Sequence, residues 1–394
     1  MNNVPPLDLS RQYALIGDEV SAAVLDVLAS GRYIGGPAVA SFEQSFASYI
    51  GVSESVGCNS GTDALFLALR ALKIGLGDEV ITTPFTFVAT AEMISAVGAK
   101  PVFVDIKAET FNLDLDKLEA AITSKTRAIM PVHLFGQPLD MTRLMAIASS
   151  HDLAVIEDCA QSTGAEWDGQ KVGSIGHIGC FSFFPTKNLG ACGDGGAVTT
   201  NDPAIAATVR MLKEHGQSAR YLSEEIGVNS RLDALQATIL QIKLRHLDTW
   251  NSQRRAAAQR YHQLLSPVPR VTLPQELPGG KGVWNQYTIS LKSQEKSNSI
   301  FPAPHLPPSP HLRDLVRSKL QESGIGSMVY YPLPLHLQPV YKSLGYQQGS
   351  FPVAEQAGSE VLSLPIFPEL SRDQQDRVIY GLKDCLTGLA EFSD

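Results

Sequence analysis

One lysine, Lys187, stands in "FSFFPTKNLGACGDGGAVTTND" (Phe181 to Asp202) between an aromatic apolar run and a cluster of glycines. Other groups capable of chemistry lie where strand-like or helix-like runs begin and end. Asp158 closes "LAVIED", and Gln161 follows three residues later. "CNSGTDAL" (Cys58 to Leu65) puts Gly61 and Thr62 at a helix start, where free backbone N–H groups and the helix dipole favour an anion such as a phosphate. Ser182 lies five residues before Lys187, and Phe87 sits in "PFTFVAT". An amine near a bound phosphate, a carboxylate buried at a strand end and a flat aromatic are the groups a pyridoxal phosphate (PLP) site needs. There the lysine forms the Schiff base, and an aspartate keeps the pyridine nitrogen protonated so that the ring can take up electrons.

Taken singly, each residue has a plainer reading. A lysine in a Gly-rich stretch is often a solvated loop residue, Asp158 could cap a helix, Ser182 could be a satisfied hydroxyl and Phe87 part of the core. "NSGTD" reads equally as an N-cap without a ligand. "GACGDGG" does not fit a dinucleotide fingerprint, because its glycines do not fall at G-x-G-x-x-G.

The elements that must position these residues alternate along the chain. "TDALFLALRAL", "TAEMISAVG" and "MTRLMAIASSHD" have helical spacing; "EVITT", "KPVFVDI", "RAIMPVHL" and "LAVIEDCAQ" are apolar, strand-like runs. Apolar strands separated by helices predict an α/β fold with a mainly parallel sheet covered on both faces, which binds ligands at the carboxyl ends of its strands. A long helical pattern starts at Asp233 and the texture changes after it, at "SPVPRVTLPQELPGG"; the passage into a second domain is placed at about Ser252, within the helical pattern. The expected organisation is a large domain over 1–251 and a smaller α+β domain over 252–394, with a Pro-rich insertion from Ser299 to His311 as an exposed loop.

At 394 residues and 44% hydrophobic, the chain has room for two domains, and its formal net charge of -8 argues against nucleic acid or an anionic membrane as main partner, since both want a basic face. The first residues show no leader pattern and no apolar run is long enough to span a bilayer, so a cytoplasmic location is expected. The five cysteines show neither paired spacing nor nearby histidine pairs, so neither a disulfide framework nor a metal site is expected.

The order of the motifs decides among these readings. "NSGTDAL", "PFTFVATAEMI", "PVFVDI", "VIEDCAQ", "SFFPTKNLGACGDGGA" and "GVNSRLDALQA" together resemble the DegT/DnrJ/EryC1/StrS sugar aminotransferases, fold-type I PLP enzymes, from about Leu7 to the last helix. The resemblance implies that Lys187 holds the cofactor covalently, Asp158 pairs with the pyridine nitrogen, Gln161 bonds near the ring hydroxyl and Phe87 stacks on the ring. Gly61, Thr62 and Ser182 would hold the phosphate. Asn229 would reach the phosphate of a partner subunit, which makes the expected assembly a homodimer with composite sites; as a cap on the following helix, Asn229 has a compatible plainer role.

The implied reaction moves an amino group from L-glutamate, leaving 2-oxoglutarate, to a nucleotide-linked keto sugar. "HGQSARYLSEEIGVNSRLDALQA" and "VWNQYTI" look most like the subgroup acting on UDP-2-acetamido-2-deoxy-3-oxo-D-glucuronate, which feeds surface polysaccharides such as lipopolysaccharide. Asn285 stands where many members carry histidine. Arg231 could bind the uronate carboxylate or be only a structural interface cation. Tyr330, Tyr331 and His336 could contact the sugar nucleotide or be ordinary core and loop residues. The alternatives are a neutral dTDP- or UDP-linked 3-keto or 4-keto sugar and, from a different class, a non-catalytic regulator, which would not need Lys187, Asp158 and Gln161 together.

Overall fold

Residues 3–292 and 311–390 are described in the computed structural model. The Pro-rich insertion, apart from His311, lies outside them.

The N-terminal part opens with α1 (Leu9–Ser30), begun by an Asp8 carboxylate that accepts from Ser10 N–H and closed at Gly31, and α2 (Gly36–Ile50). The strands and helices of the alternating region follow as β1 (Glu54–Cys58), α3 (Gly61–Ala71), β2 (Glu79–Thr82), α4 (Ala89–Ala96), β3 (Lys100–Phe103), β4 (Thr126–Ile129), α5 (Met141–Ser150), β5 (Ala154–Asp158), β6 (Ile178–Ser182), β7 (Gly196–Thr200) and α6 (Pro203–Leu212). They build one seven-stranded sheet in the order β1-β7-β6-β5-β4-β2-β3. The sheet is buried on both faces, and successive residues of one strand enter different cores. Val80, Ala128, Ile156, Cys180 and Val198 pack with α3 and α6, whereas their neighbours Ile81, Ile129 and Val155 pack with α5, and Phe181 and Ala197 with α2. This two-sided burial is why the strands read as continuous apolar runs rather than as alternation.

The sheet departs from all-parallel in one place. β2, β3, β4, β5 and β6 run parallel, but β7 is antiparallel to both β6 and β1. Residues 183–195, which join β6 to β7, contain no helix to carry the chain back across the sheet, so β7 returns directly beside β6. Lys187 lies on that turn.

The helical pattern from Asp233 is two helices, α7 (Ala234–Leu244) and α8 (Leu247–Leu265), and not one. The break falls where Arg245 and His246 N–H groups bond three residues back, to Ile242 and Lys243. Beyond it, strands Val271–Thr272, Tyr287–Leu291 and Val361–Leu364 form an antiparallel sheet. This sheet shares a core with α8, α9 (Leu312–Glu322) and α11 (Arg372–Ala390), and Val4 from the N-terminus packs into the same core. α10 (Pro352–Glu360) leads into the last of these strands, and Asp105, just after β3, accepts the N–H groups of Val353 and Ala354 at its start. No helix among the described residues is long and apolar enough to cross a membrane.

Candidate active site

The turn that carries Lys187 is held from several sides. Phe183 N–H donates to Gly195 O at 2.7 Å and Ala191 N–H to Phe183 O at 2.7 Å. Asn188, the next residue, is buried; its amide donates to Asn251 Oδ1 (2.6 Å) on α8 and to Val283 O (3.0 Å), and its Oδ1 accepts from Asn285 (2.8 Å). Lys243 Nζ from α7 donates to Gly190 O at 2.7 Å, and a side chain at Gly190 would collide with the carbonyl of Pro185. These bonds fix where the backbone of Lys187 can be.

Asp158 ends β5, so its side chain leaves the sheet at the carboxyl edge. One oxygen accepts from the Thr90 hydroxyl on α4 at 2.8 Å and the other from Ala160 N–H at 3.1 Å. Burial holds the Asp158 carboxyl above the usual carboxylate range, opposed by these two bonds and by the charge of Lys187. Burial likewise lowers the Lys187 amine to about 8, and the charge of Asp158 opposes that shift. Gln161 Oε1 accepts from Phe135 N–H at 2.6 Å, and its Nε2 donates to the Tyr331 hydroxyl at 3.1 Å.

At the far end α3 begins. Ser60 caps it by accepting from Asp63 N–H at 3.1 Å, which leaves the first N–H groups of the helix without partners in the helix. A Cβ at Gly61 would stand 2.6 Å from Ser182 Cβ, so only glycine lets the helix start approach the end of β6 this closely.

A cavity of about 360 Å³ unites these segments. Gly61, Thr62, Phe87, Asp158, Gln161, Ser182, Lys187, Tyr330 and Tyr331 all line it. Three expected residues do not. Asn229 is exposed on a bridge to Glu214, and Arg231 Nη1 pairs with Glu214 Oε2 at 3.5 Å. The helix after Asn229 starts only at Ala234, with Asp233 in the cap position, so the capping role does not hold. His336 is 1% exposed and donates from Nε2 to Glu355 Oε1 at 2.9 Å, against Phe351; enclosure in that apolar cluster keeps it from the cavity and corrects its expected place as a sugar contact.

Thr90, Gln286 and the Asn188–Asn251–Asn285 network were not expected. Thr90 lay inside the quoted "PFTFVATAEMI", and its hydroxyl among apolar residues was the available signal; the asparagines meet only after folding. His133, Glu157 and Cys159 also converge, within 4.8 Å. Glu157 there accepts from Gly173, Ile175 and Gly176 N–H and bonds His133, which pins the loop before β6.

The donor set fits PLP. An amine with a lowered pKa, a buried carboxylate and a glycine-lined helix start lie on one cavity whose Gly61 position admits no side chain. With the sheet described above they define a fold-type I PLP-dependent transferase. Residues 14–383 match the DegT/DnrJ/EryC1/StrS aminotransferase family, and the chain belongs to that family as a PLP-dependent sugar aminotransferase.

Among its relatives are a pleiotropic regulatory protein of Geobacillus stearothermophilus (48% identical, over 96% of this chain and 97% of that one) and a UDP-N-acetyl-3-dehydro-alpha-D-glucosamine 3-aminotransferase of Acidithiobacillus ferrooxidans (44%, over 98% of each). A UDP-2-acetamido-2-deoxy-3-oxo-D-glucuronate aminotransferase of Pseudomonas aeruginosa is 41% identical, over 92% of this chain and 95% of that one. The crystal structure of DesV from S. venezuelae in complex with a ketimine intermediate matches with a TM-score of 0.91 at 42% identity, covering 98% of each chain. NtdA of Bacillus subtilis with bound PMP matches at 0.86 and 31% identity, covering 98% of this chain and 86% of that one.

Proposed function

We propose that this enzyme moves the amino group of L-glutamate to a nucleotide-linked 3-keto sugar, UDP-2-acetamido-2-deoxy-3-oxo-D-glucuronate. The observation that carries the transamination is the meeting of Lys187, Asp158 and the start of α3 on one cavity. When bound, PLP supplies an electron sink for the carbanion formed at the carbon that loses its proton. Asp158 holds a proton on the pyridine nitrogen, with Thr90 fixing its orientation. Gln161 would bond near the ring hydroxyl, Phe87 would cover the ring, and Gly61, Thr62 and Ser182 would hold the phosphate. Lys187 Nζ would take the proton from the glutamate α-carbon in the first half of the reaction and would deliver a proton to C3 of the sugar in the second. Burial lowers the free Lys187 amine to about 8, which gives it an unprotonated fraction near neutral pH.

The sites are proposed to be completed in a homodimer. Tyr33, Ile34, Tyr221 and Ile226 are exposed apolar side chains, Tyr221 by 83% and Ile226 by 85%, which favours a second copy over solvent. Asn229 of the partner subunit would then reach the phosphate, and Arg231 of the partner subunit the uronate carboxylate. The location is taken as the cytoplasm, the pathway as surface polysaccharide biosynthesis, and the domain division as 1–251 and 252–394.

A second reading, a neutral 3-keto or 4-keto sugar on UDP or dTDP, is favoured by the pairing of Arg231 with Glu214. Single-turnover visible spectra separate the two. L-Glutamate should bleach the band of the lysine-bound cofactor, and the in situ generated 3-keto uronate should restore it. Restoration by neutral keto sugars alone would leave the transaminase and remove the uronate.

A further inference from the structure

Phe135 has a left-handed backbone, φ 59° and ψ 9°, and the residue after it, Gly136, is left-handed too, at φ 89°. Such a conformation is uncommon for a phenylalanine, and here the surroundings impose it. Leu134 N–H donates to Asn112 Oδ1 at 3.1 Å, Val283 N–H to Gly136 O at 2.9 Å and Gln286 N–H to Phe135 O at 3.4 Å. The Phe135 ring is wedged edge-on between Phe85 and Phe111, and a Cβ at Gly136 would stand 2.9 Å from Asn285 N and 3.0 Å from Gln161 O. The backbone held in this way aims Phe135 N–H at Gln161 Oε1, 2.6 Å away.

That bond fixes the polarity of its corner of the main cavity. A backbone N–H can only donate, so the atom facing it is the oxygen of Gln161, and the amide cannot be turned over. One hydrogen of Gln161 Nε2 goes to the Tyr331 hydroxyl at 3.1 Å. An amide nitrogen does not accept, so Tyr331 takes that hydrogen and directs its own elsewhere. Burial pushes the Tyr331 hydroxyl above its ordinary value, which keeps it protonated. The second Nε2 hydrogen of Gln161 meets no acceptor among the described residues, and both side chains line the cavity.

We propose that Phe135 is a positioning residue for the cofactor: its N–H keeps Gln161 turned as a donor, so that the ring oxygen of PLP is held there as an anion. A donor beside an oxygen is worth most when that oxygen carries negative charge. This rests on the placing of Gln161 beside the ring hydroxyl. Donation draws charge from the ring oxygen, and the Schiff-base nitrogen that shares its proton with that oxygen then holds the proton less tightly. The other titratable groups lining the cavity, Asp158, Lys187, Asp194, Tyr330 and Tyr331, are unchanged in every variant below.

An ester in place of the Leu134–Phe135 amide, made with phenyllactate at position 135, deletes that one N–H and keeps every side chain. In PLP-loaded protein titrated by visible absorbance, the midpoint of the Schiff-base band should rise by about half to one pH unit, roughly three- to tenfold in proton affinity, the order of one hydrogen bond to a charged atom. An ester one position earlier deletes Leu134 N–H, which bonds Asn112, and should lower thermal stability without moving the midpoint. Gln161→Glu can still accept from Phe135 but offers the ring oxygen no donor, and should raise the midpoint by more than about one unit. A rise in Gln161→Glu with none from the ester at 135, or equal shifts from the two esters, overturns the positioning role of Phe135 alone. No rise in Gln161→Glu removes Gln161 from the ring oxygen, and the proposal falls with that placing.

Discussion

Lys187 should capture PLP with a pH dependence set by its own burial. With its amine lowered to about 8, the unprotonated share is about one in eleven near pH 7 and about ten in eleven near pH 9, so the capture rate should rise roughly tenfold and then level off. A lysine at the ordinary value of 10.5 would gain about a hundredfold over the same interval without levelling. The charge of Asp158 opposes the lowering, so Asp158→Asn should move the midpoint further down in pH, not up. Stopped-flow absorbance of the Schiff-base band, with cofactor-free protein mixed with PLP at a series of pH values, reads both quantities. A rate that climbs about a hundredfold with no plateau, or a midpoint that rises in Asp158→Asn, refutes the assignment of the shift to burial against Asp158.

Thr90→Val removes the 2.8 Å bond to Asp158 and should weaken PLP affinity about five- to tenfold, measured as the dissociation constant by fluorescence titration; an unchanged constant means that Thr90 does not orient Asp158. Gly61→Ala places a methyl group 2.6 Å from Ser182 Cβ and should cost more than about tenfold in PLP affinity while circular dichroism stays native. Lys187→Ala should fold and still bind PLP without a Schiff base, yet turn over no keto sugar; residual turnover by the purified variant would remove Lys187 from proton transfer. Asn188→Ala breaks the network that holds the lysine turn and should lower the thermal midpoint as well as activity, by about 2 kcal/mol in stability, because Asn251 and Asn285 lose their shared partner.

Much of this molecule is written in local pattern. Apolar runs bounded by caps marked β2 to β5 and helices α3 to α5, and the ordered motifs around Lys187, Asp158 and Gly61 marked the cavity, because strand ends and helix starts are local events that hydrophobic period and capping chemistry report. What period cannot report is which distant groups meet. Thr90 reaches Asp158 across 68 positions, and Asn188 joins Asn251 and Asn285 across 63 and 97, contacts that exist only once the sheet and the C-terminal strands are assembled. The same limit applied to His336, whose type invited a substrate role. Its neighbours Phe351 and Glu355 are brought to it by the packing of α10, and they bury it away from the cavity. The reversal at β7 and the break before α8 were decided by tertiary packing too. All five residues of β7 are buried, which carries no direction, and the pattern from Asp233 stays helical through the break, so only the pairing of strands and the turn at Arg245 settle them. Residue type and order determined the chemistry this chain carries, and the folded packing decided which side chains hold it in place, since hydrogen bonds and burial depend on distances that the covalent order leaves open.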